Sequence, residues 1–129
     1  MALLVLDASV AIAYLDGRDA HHERATSMIA ESKLDERVLP ASAYSELLVR
    51  AYRSGPAAVT EVELFIADLA IRIHPVDASV ARRAAELRAQ HGSVRLPDAL
   101  VLATADVLDG VALTADRAWT RVSRRARVI

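Results

Sequence analysis

Short apolar runs separated by helical segments constrain the fold of this chain more than any other feature. Leu3–Leu6 and Val111–Thr114 are such runs, and strands of this kind are typical of a sheet covered by helices on both faces. Shorter strand candidates lie at Arg37–Leu39, Ile71–Ile73 and Val128–Ile129. Because helical segments separate most of these strands, the sequence predicts a parallel sheet.

The segments between the strands show the features of helix starts and ends. Asp77 precedes one helical segment and Gly92 follows it, as is common at helix boundaries. Thr60 with Glu63 three residues later is a capping-box pattern, which predicts a helix start at Thr60. The resulting order is strand, helices, strand, helices, strand, two helices, strand, helix, strand. We therefore expect one α/β domain over residues 1–129.

The composition narrows the class of protein. Hydrophobic residues make up 53% of the 129 residues, which is enough for one continuous core. The chain has no cysteine, so disulfides, thiolate metal sites and a cysteine nucleophile are excluded. No apolar run approaches the length of a membrane-spanning helix. We expect a soluble, cytoplasmic protein without membrane contact.

Four acidic residues follow the apolar runs or lie at helix starts. Asp7 comes one residue after the first strand, and Asp116 comes two residues after Thr114. The carboxyl ends of parallel strands meet at one edge of a sheet, so both acids are expected there. Glu46 lies in the first turns of the helix after the second strand, and Asp98 is at the start of its own helix. All four are therefore expected to face one pocket.

Gathered carboxylates repel one another unless a cation neutralises them. The pattern of four acids therefore points to a divalent-metal site, and metal-assisted cleavage of a phosphodiester is the chemistry that it fits best. Each acid alone has a plainer interpretation as a helix cap or as a surface residue. It is the combination that indicates a functional site.

The same positions carry a resemblance to a known family. The chain resembles the PIN-domain ribonucleases, and specifically the VapC-like toxins of bacterial and archaeal toxin–antitoxin pairs. Each matching segment alone is weakly specific, but all of them in this order are strongly specific. The segments are Leu6-Asp7-Ala8-Ser9-Val10, Ser42-Ala43-Tyr44-Ser45-Glu46-Leu47, Leu96-Pro97-Asp98-Ala99-Leu100 with Ala103-Thr104-Ala105, and Leu113-Thr114-Ala115-Asp116-Arg117.

This resemblance implies a three-layer α/β/α fold with a central five-stranded parallel sheet and a Mg²⁺ or Mn²⁺ site at its carboxyl edge. The site acids implied are Asp7, Glu46, Asp98 and Asp116, with Thr114 and Ser9 as supporting polar residues. The resemblance also implies endonucleolytic cleavage of RNA, a cognate antitoxin and a homodimer. Whether the site takes one metal or two stays open, as does the choice of Asp98 or Asp116 to orient the attacking water.

The C-terminal segment is basic and includes Arg117, Arg121 and Arg124. A groove for the RNA backbone is one interpretation, and a solvated or antitoxin-facing surface is equally compatible with the pattern. Trp119 lies in the same segment. Stacking on a base is one role for it, but packing in the core is favoured.

Two other classes of protein fit the sequence less well, an inactive binding module and a phosphatase or phospho-acceptor domain. A catalytically inactive PIN-like module that binds RNA or protein would keep the fold, but it would gain nothing from four repelling carboxylates. A haloacid-dehalogenase-type phosphatase needs a second Asp two residues after the first, where this chain has Ser9. A phospho-acceptor receiver needs a late lysine, and the only lysine is Lys33. The phosphatase and receiver classes are therefore disfavoured.

Overall fold

The computed structural model describes residues 1–129 and contains one five-stranded sheet in which every pairing is parallel. The strand order is β3-β2-β1-β4-β5. The predicted parallel sheet is confirmed. The strands are β1 (Leu3–Leu6), β2 (Glu36–Pro40), β3 (Arg72–His74), β4 (Val111–Thr114) and β5 (Ala126–Val128).

Helices connect successive strands and form the outer layers of a three-layer α/β/α arrangement, as predicted. None of them combines the length and the apolar character that crossing a membrane requires. The helices are α1 (Ala8–Leu15), α2 (His22–Glu31), α3 (Ala41–Ser54), α4 (Pro56–Asp68), α5 (Ala78–Gln90) and α6 (Leu96–Leu108), and a 3₁₀ helix spans Arg117–Arg121.

The strand β1 lies at the centre of the sheet, between β2 and β4. Its register pairs Leu6 with Leu113, so the two strands end side by side. Gly110 allows this close start of β4, because a Cβ at this position would lie 2.8 Å from the carbonyl oxygen of Leu3. The register therefore brings Asp7, which follows β1, next to Thr114 at the end of β4.

Some local predictions were wrong in detail. Helix α4 begins at Pro56 rather than at Thr60, and the Thr60 hydroxyl donates to the Pro56 carbonyl inside the helix. Proline fits a first helical turn, where its missing N–H costs nothing. The prediction that Asp116 lies at a helix start is confirmed, and the helix is a 3₁₀ helix. Trp119 is only 3% exposed and belongs to the core, as the sequence favoured.

Candidate active site

Asp7 is a buried carboxylate at the end of the central strand. Its main-chain N–H donates to Leu113 O at 2.9 Å, which extends the pairing of β1 with β4 by one residue. Its side chain is 8% exposed. The hydroxyls of Ser9 and Thr114 both donate to its Oδ2, at 2.7 and 2.9 Å. Because both hydroxyls donate to Oδ2, the other carboxylate oxygen, Oδ1, accepts no hydrogen bond from a side-chain hydroxyl.

The two hydroxyls are themselves held by the chain that follows β4. Ser9 Oγ accepts from the Ala115 N–H at 3.1 Å, and Thr114 Oγ1 accepts from the Asp116 N–H, also at 3.1 Å. Each hydroxyl thus has one donor and one acceptor, which fixes its orientation. We call Asp7, Ser9 and Thr114 the Asp7 cluster.

Glu46 and Asp98 approach this cluster from two helices. Burial raises the pKa of Asp7, the hydroxyls of Ser9 and Thr114 act in the opposite direction, and the negative charge of Asp98 raises the pKa further. Desolvation also raises the pKa of Glu46, and the charges of Asp7 and Asp98 add to that rise. Asp7, Glu46 and Asp98 are therefore close enough for their negative charges to act on one another. We call Glu46 and Asp98 the helix acids.

Asp116 stands at the edge of this group. Its side chain is exposed, and its Oδ1 accepts from the Ala118 N–H at 2.9 Å, which caps the 3₁₀ helix. Its link to Asp7 runs through the Thr114 hydroxyl, which accepts from the Asp116 main chain and donates to Asp7. The structure thus joins Asp116 to the Asp7 cluster through its backbone, while its carboxylate serves as a cap.

As the side chains stand, no three acidic or histidine groups are arranged closely enough to hold a metal ion. The donor types nevertheless fit Mg²⁺ or Mn²⁺, because carboxylate and hydroxyl oxygens are the ligands that hard cations prefer. Like charges repel, so carboxylates without a counterion are expected to stand apart, and a bound cation to draw them together.

One charged neighbour of the site was missed by the sequence analysis. The Nε of Arg95 lies 3.5 Å from Oδ2 of Asp98, and its charge lowers the pKa of Glu46, against the larger effect of desolvation. The only sequence signal for this contact is the spacing of three residues between Arg95 and Asp98 at the start of α6. By contrast, Arg117, Arg121 and Arg124, which the sequence singled out, are exposed beyond β4.

A family model for the PIN domain matches residues 4–125. The chain belongs to the PIN-domain family. This confirms the resemblance inferred from the acidic segments, and it places all four acids of this PIN domain within the matched range. No curated protein matches the chain at a significant level.

Several solved structures share this PIN fold. The DNA-bound VapBC complex of Salmonella typhimurium contains a chain that is 18% identical, with a TM-score of 0.80 over 100% of this chain and 98% of that one. VapC20 of Mycobacterium tuberculosis, a toxin that cleaves the sarcin–ricin loop, is 20% identical, with a TM-score of 0.77 over 92% and 93%. VapBC2 of Rickettsia felis, bound to promoter DNA, is 12% identical, with a TM-score of 0.77 over 98% and 97%. At these identities the likeness concerns the fold.

Proposed function

We propose that this PIN domain is a Mg²⁺- or Mn²⁺-dependent endoribonuclease that acts as the toxin of a toxin–antitoxin pair. The observation that carries the proposal is the Asp7 cluster, with the charge of Asp98 acting on Asp7. A carboxylate at the end of a central strand, fixed by two hydroxyls and faced by further acids, is the arrangement that a metal-dependent nuclease requires.

The four acids would hold the cation, some directly and some through water. When bound, the metal would polarise the scissile phosphate of RNA and lower the pKa of an attacking water. The hydroxyls of Ser9 and Thr114 keep Oδ2 of Asp7 in place, which leaves Oδ1 for the cation. Asp98 and Asp116 are the two candidates for orienting or deprotonating the water.

Other regions of the molecule support the proposed RNA substrate, antitoxin and homodimer. The exposed Arg117, Arg121 and Arg124 follow the carboxyl edge of the sheet and supply positive charge for an RNA backbone. The VapBC complexes among the structural neighbours support a cognate antitoxin. A homodimer is supported by exposed apolar side chains on α3 and α4, of which Tyr52 is 69% and Leu64 54% exposed.

The test compares purified wild type with Asp98→Asn on a labelled RNA. We expect the wild type to cut the RNA with Mg²⁺ or Mn²⁺ and to stop when a chelator is added. We expect Asp98→Asn to be slower by roughly 10²-fold or more, because a charged ligand is lost without a change of shape. Asp68→Asn, an equal change at an exposed position on α4, is the matched control and should leave the rate unchanged.

Growth after induced expression provides a second measurement. Wild type and Asp68→Asn should arrest growth, and Asp98→Asn should not. Equal arrest by wild type and Asp98→Asn would refute the nuclease mechanism. RNA that is retained by the wild type but never cut with either ion would indicate the inactive binding module instead.

A further inference from the structure

Arg95 occupies an unusual place relative to the acids of the site. It is the residue immediately before α6, with an extended backbone (φ −74°, ψ 153°), and Asp98 lies in the first turn of that helix. The Asp98 side chain is 21% exposed, whereas that of Arg95 is 76% exposed. We call the Asp7 cluster and the helix acids together the acidic pocket. Arg95 thus extends from solvent to Asp98 at the edge of this pocket, and it is the one basic side chain whose charge acts on Glu46.

The contact between Arg95 and Asp98 is long compared with the ion pairs that Arg72, Arg83 and Arg125 make. Arg83 and Arg72 bind their carboxylate partners at 2.7 Å, and Arg125 binds Asp109 at 2.8 Å. Arg95 makes a single contact, through Nε at 3.5 Å, so its two Nη atoms are not used by the protein. An exposed pair of this length is broken at little cost.

We propose that Arg95 is a phosphate-binding residue of this site. It pairs with Asp98 when no cation is bound, and it would contact two non-bridging oxygens of an RNA phosphate when a metal ion neutralises the acids. This inference rests on the proposed function. A planar guanidinium presents parallel N–H donors that match two phosphate oxygens. The two Nη atoms of Arg95 have no partner in the protein, and the side chain is 76% exposed.

Arg95 and a divalent ion compete for the negative charge of Asp98. Asp98 attracts Arg95 only as long as its own charge is not taken by a stronger cation. With a divalent ion held by the acids, Asp98 would no longer attract Arg95, and an RNA phosphate would be the nearest anionic partner for its guanidinium. Arg95 would therefore exchange Asp98 for an RNA phosphate. Asp98 would have Arg95 as its cation before the metal ion binds and the metal ion afterwards.

The first measurement is the affinity for a short single-stranded RNA in the presence of Ca²⁺, an ion that takes oxygen ligands. Fluorescence anisotropy measures this affinity at several salt concentrations. Arg95→Ala should weaken binding about tenfold and reduce the slope of log K against log salt by about 0.7, the value for one lost phosphate contact. Arg82→Ala, which removes the same charge from an exposed position on α5, should change neither quantity. An unchanged affinity and slope for Arg95→Ala would overturn the proposal.

The second measurement is Mn²⁺ binding by calorimetry without RNA. Arg95→Ala should bind Mn²⁺ roughly two- to threefold more tightly, because the competing cation is gone. Arg95→Lys, which keeps the charge but not the planar fork, should bind Mn²⁺ like the wild type and RNA with intermediate affinity. Weaker Mn²⁺ binding by Arg95→Ala would mean that Arg95 only supports the structure, which also overturns the proposal.

The two proposals fail in different ways. A wild-type protein that never cuts RNA with a divalent ion refutes the proposed function. A wild type that cuts RNA, together with an Arg95→Ala variant whose KM and kcat equal those of Arg82→Ala, refutes only the role of Arg95. The expected result is a raised KM with a smaller change in kcat, since a contact to the phosphate outside the reacting bond contributes mainly to binding.

Discussion

The two sides of the acidic pocket are built differently. The Asp7 cluster lies on the sheet, where Asp7 and Thr114 are buried and every hydroxyl has both a donor and an acceptor. The helix acids lie on α3 and α6, and the only hydrogen bond from a side chain to either of them is the 3.5 Å contact of Arg95 with Asp98. The Asp7 cluster is held by hydrogen bonds within the fold, and we call it the fixed side of the pocket. The helix acids are held mainly by charge, and we call them the adjustable side.

This difference suggests a division of roles. A rigid carboxylate defines where a cation sits, and mobile carboxylates adjust their distance to it, so that a site can close around an ion of demanding geometry such as Mg²⁺. It also suggests that substitutions on the two sides will differ in their effect on folding. Changes in the Asp7 cluster should alter the free energy of unfolding, and changes in the helix acids should not.

The largest effect on stability is expected for Thr114→Val. The side chain is fully buried, and its loss leaves Asp7 with one hydroxyl fewer and the Asp116 N–H without its acceptor. We expect the free energy of unfolding to fall by about 1–3 kcal/mol, the usual cost of leaving buried polar groups unpaired. Metal-dependent cleavage should fall about 10- to 100-fold, because Asp7 loses a group that orients it.

Urea denaturation and cleavage rates measure these two effects. Thr114→Ser keeps the hydroxyl and should recover most of the activity, although it creates a small cavity in the core. If Thr114→Val were as stable and as active as the wild type, the hydroxyl would not be holding Asp7, and the contrast between the two sides of the pocket would disappear.

A smaller effect, of opposite sign, is expected for Asp7→Asn. Burial is the main cause of the raised pKa of Asp7, so the folded protein binds a proton there more readily than the unfolded chain does. The charged form is therefore unfavourable in the folded state at neutral pH. We expect the neutral amide to raise the free energy of unfolding at pH 7.5 by about 1 kcal/mol in the presence of a chelator. Cleavage should be abolished.

The stability difference between Asp7→Asn and the wild type should depend on pH. As the pH falls through the raised pKa of Asp7 towards the ordinary value of 3.8, the wild-type carboxyl becomes protonated and its penalty vanishes. The advantage of Asp7→Asn should therefore shrink as the pH is lowered from 7.5 towards 3.8 in paired denaturation curves. An Asn variant that is less stable than the wild type at pH 7.5 would mean that the hydrogen bonds to the ionised carboxylate outweigh its burial.

The sequence predicted the centre of the sheet better than its edges. The bounds of β1 and β4 are those of the apolar runs, because these strands are covered on both faces and must be apolar throughout. The edge strands differ: Arg72–His74 is shifted by one residue from Ile71–Ile73, and β5 begins two residues before Val128. Edge strands are defined by pairing with one neighbour, which the apolar pattern does not encode.

The candidate site shows a similar division. The contact between Asp7 and Thr114 joins residues 107 positions apart, yet it follows from the rule that parallel strands end at the same edge. The role of Ser9 as a donor to Asp7 and the contact of Arg95 with Asp98 depend on side-chain conformations at the rim. A single exposed arginine before a helix has no periodicity or motif that separates it from other surface arginines, and so Arg95 was missed.

The smallest effect on stability is expected for Glu46→Gln, on the adjustable side of the pocket. The Glu46 side chain is exposed on α3 and makes no hydrogen bond with the protein, so the free energy of unfolding should change by no more than about 0.5 kcal/mol. Mn²⁺ binding should nevertheless weaken by roughly tenfold, since one negative charge is lost from the acids. Glu61→Gln, an equal change at an exposed position on α4, should alter neither quantity.

Calorimetric titration with Mn²⁺ and urea denaturation measure the two effects of Glu46→Gln separately. A Glu46→Gln variant that loses stability but keeps its Mn²⁺ affinity would show that this side chain serves the fold, and the division between a fixed and an adjustable side would have to be abandoned.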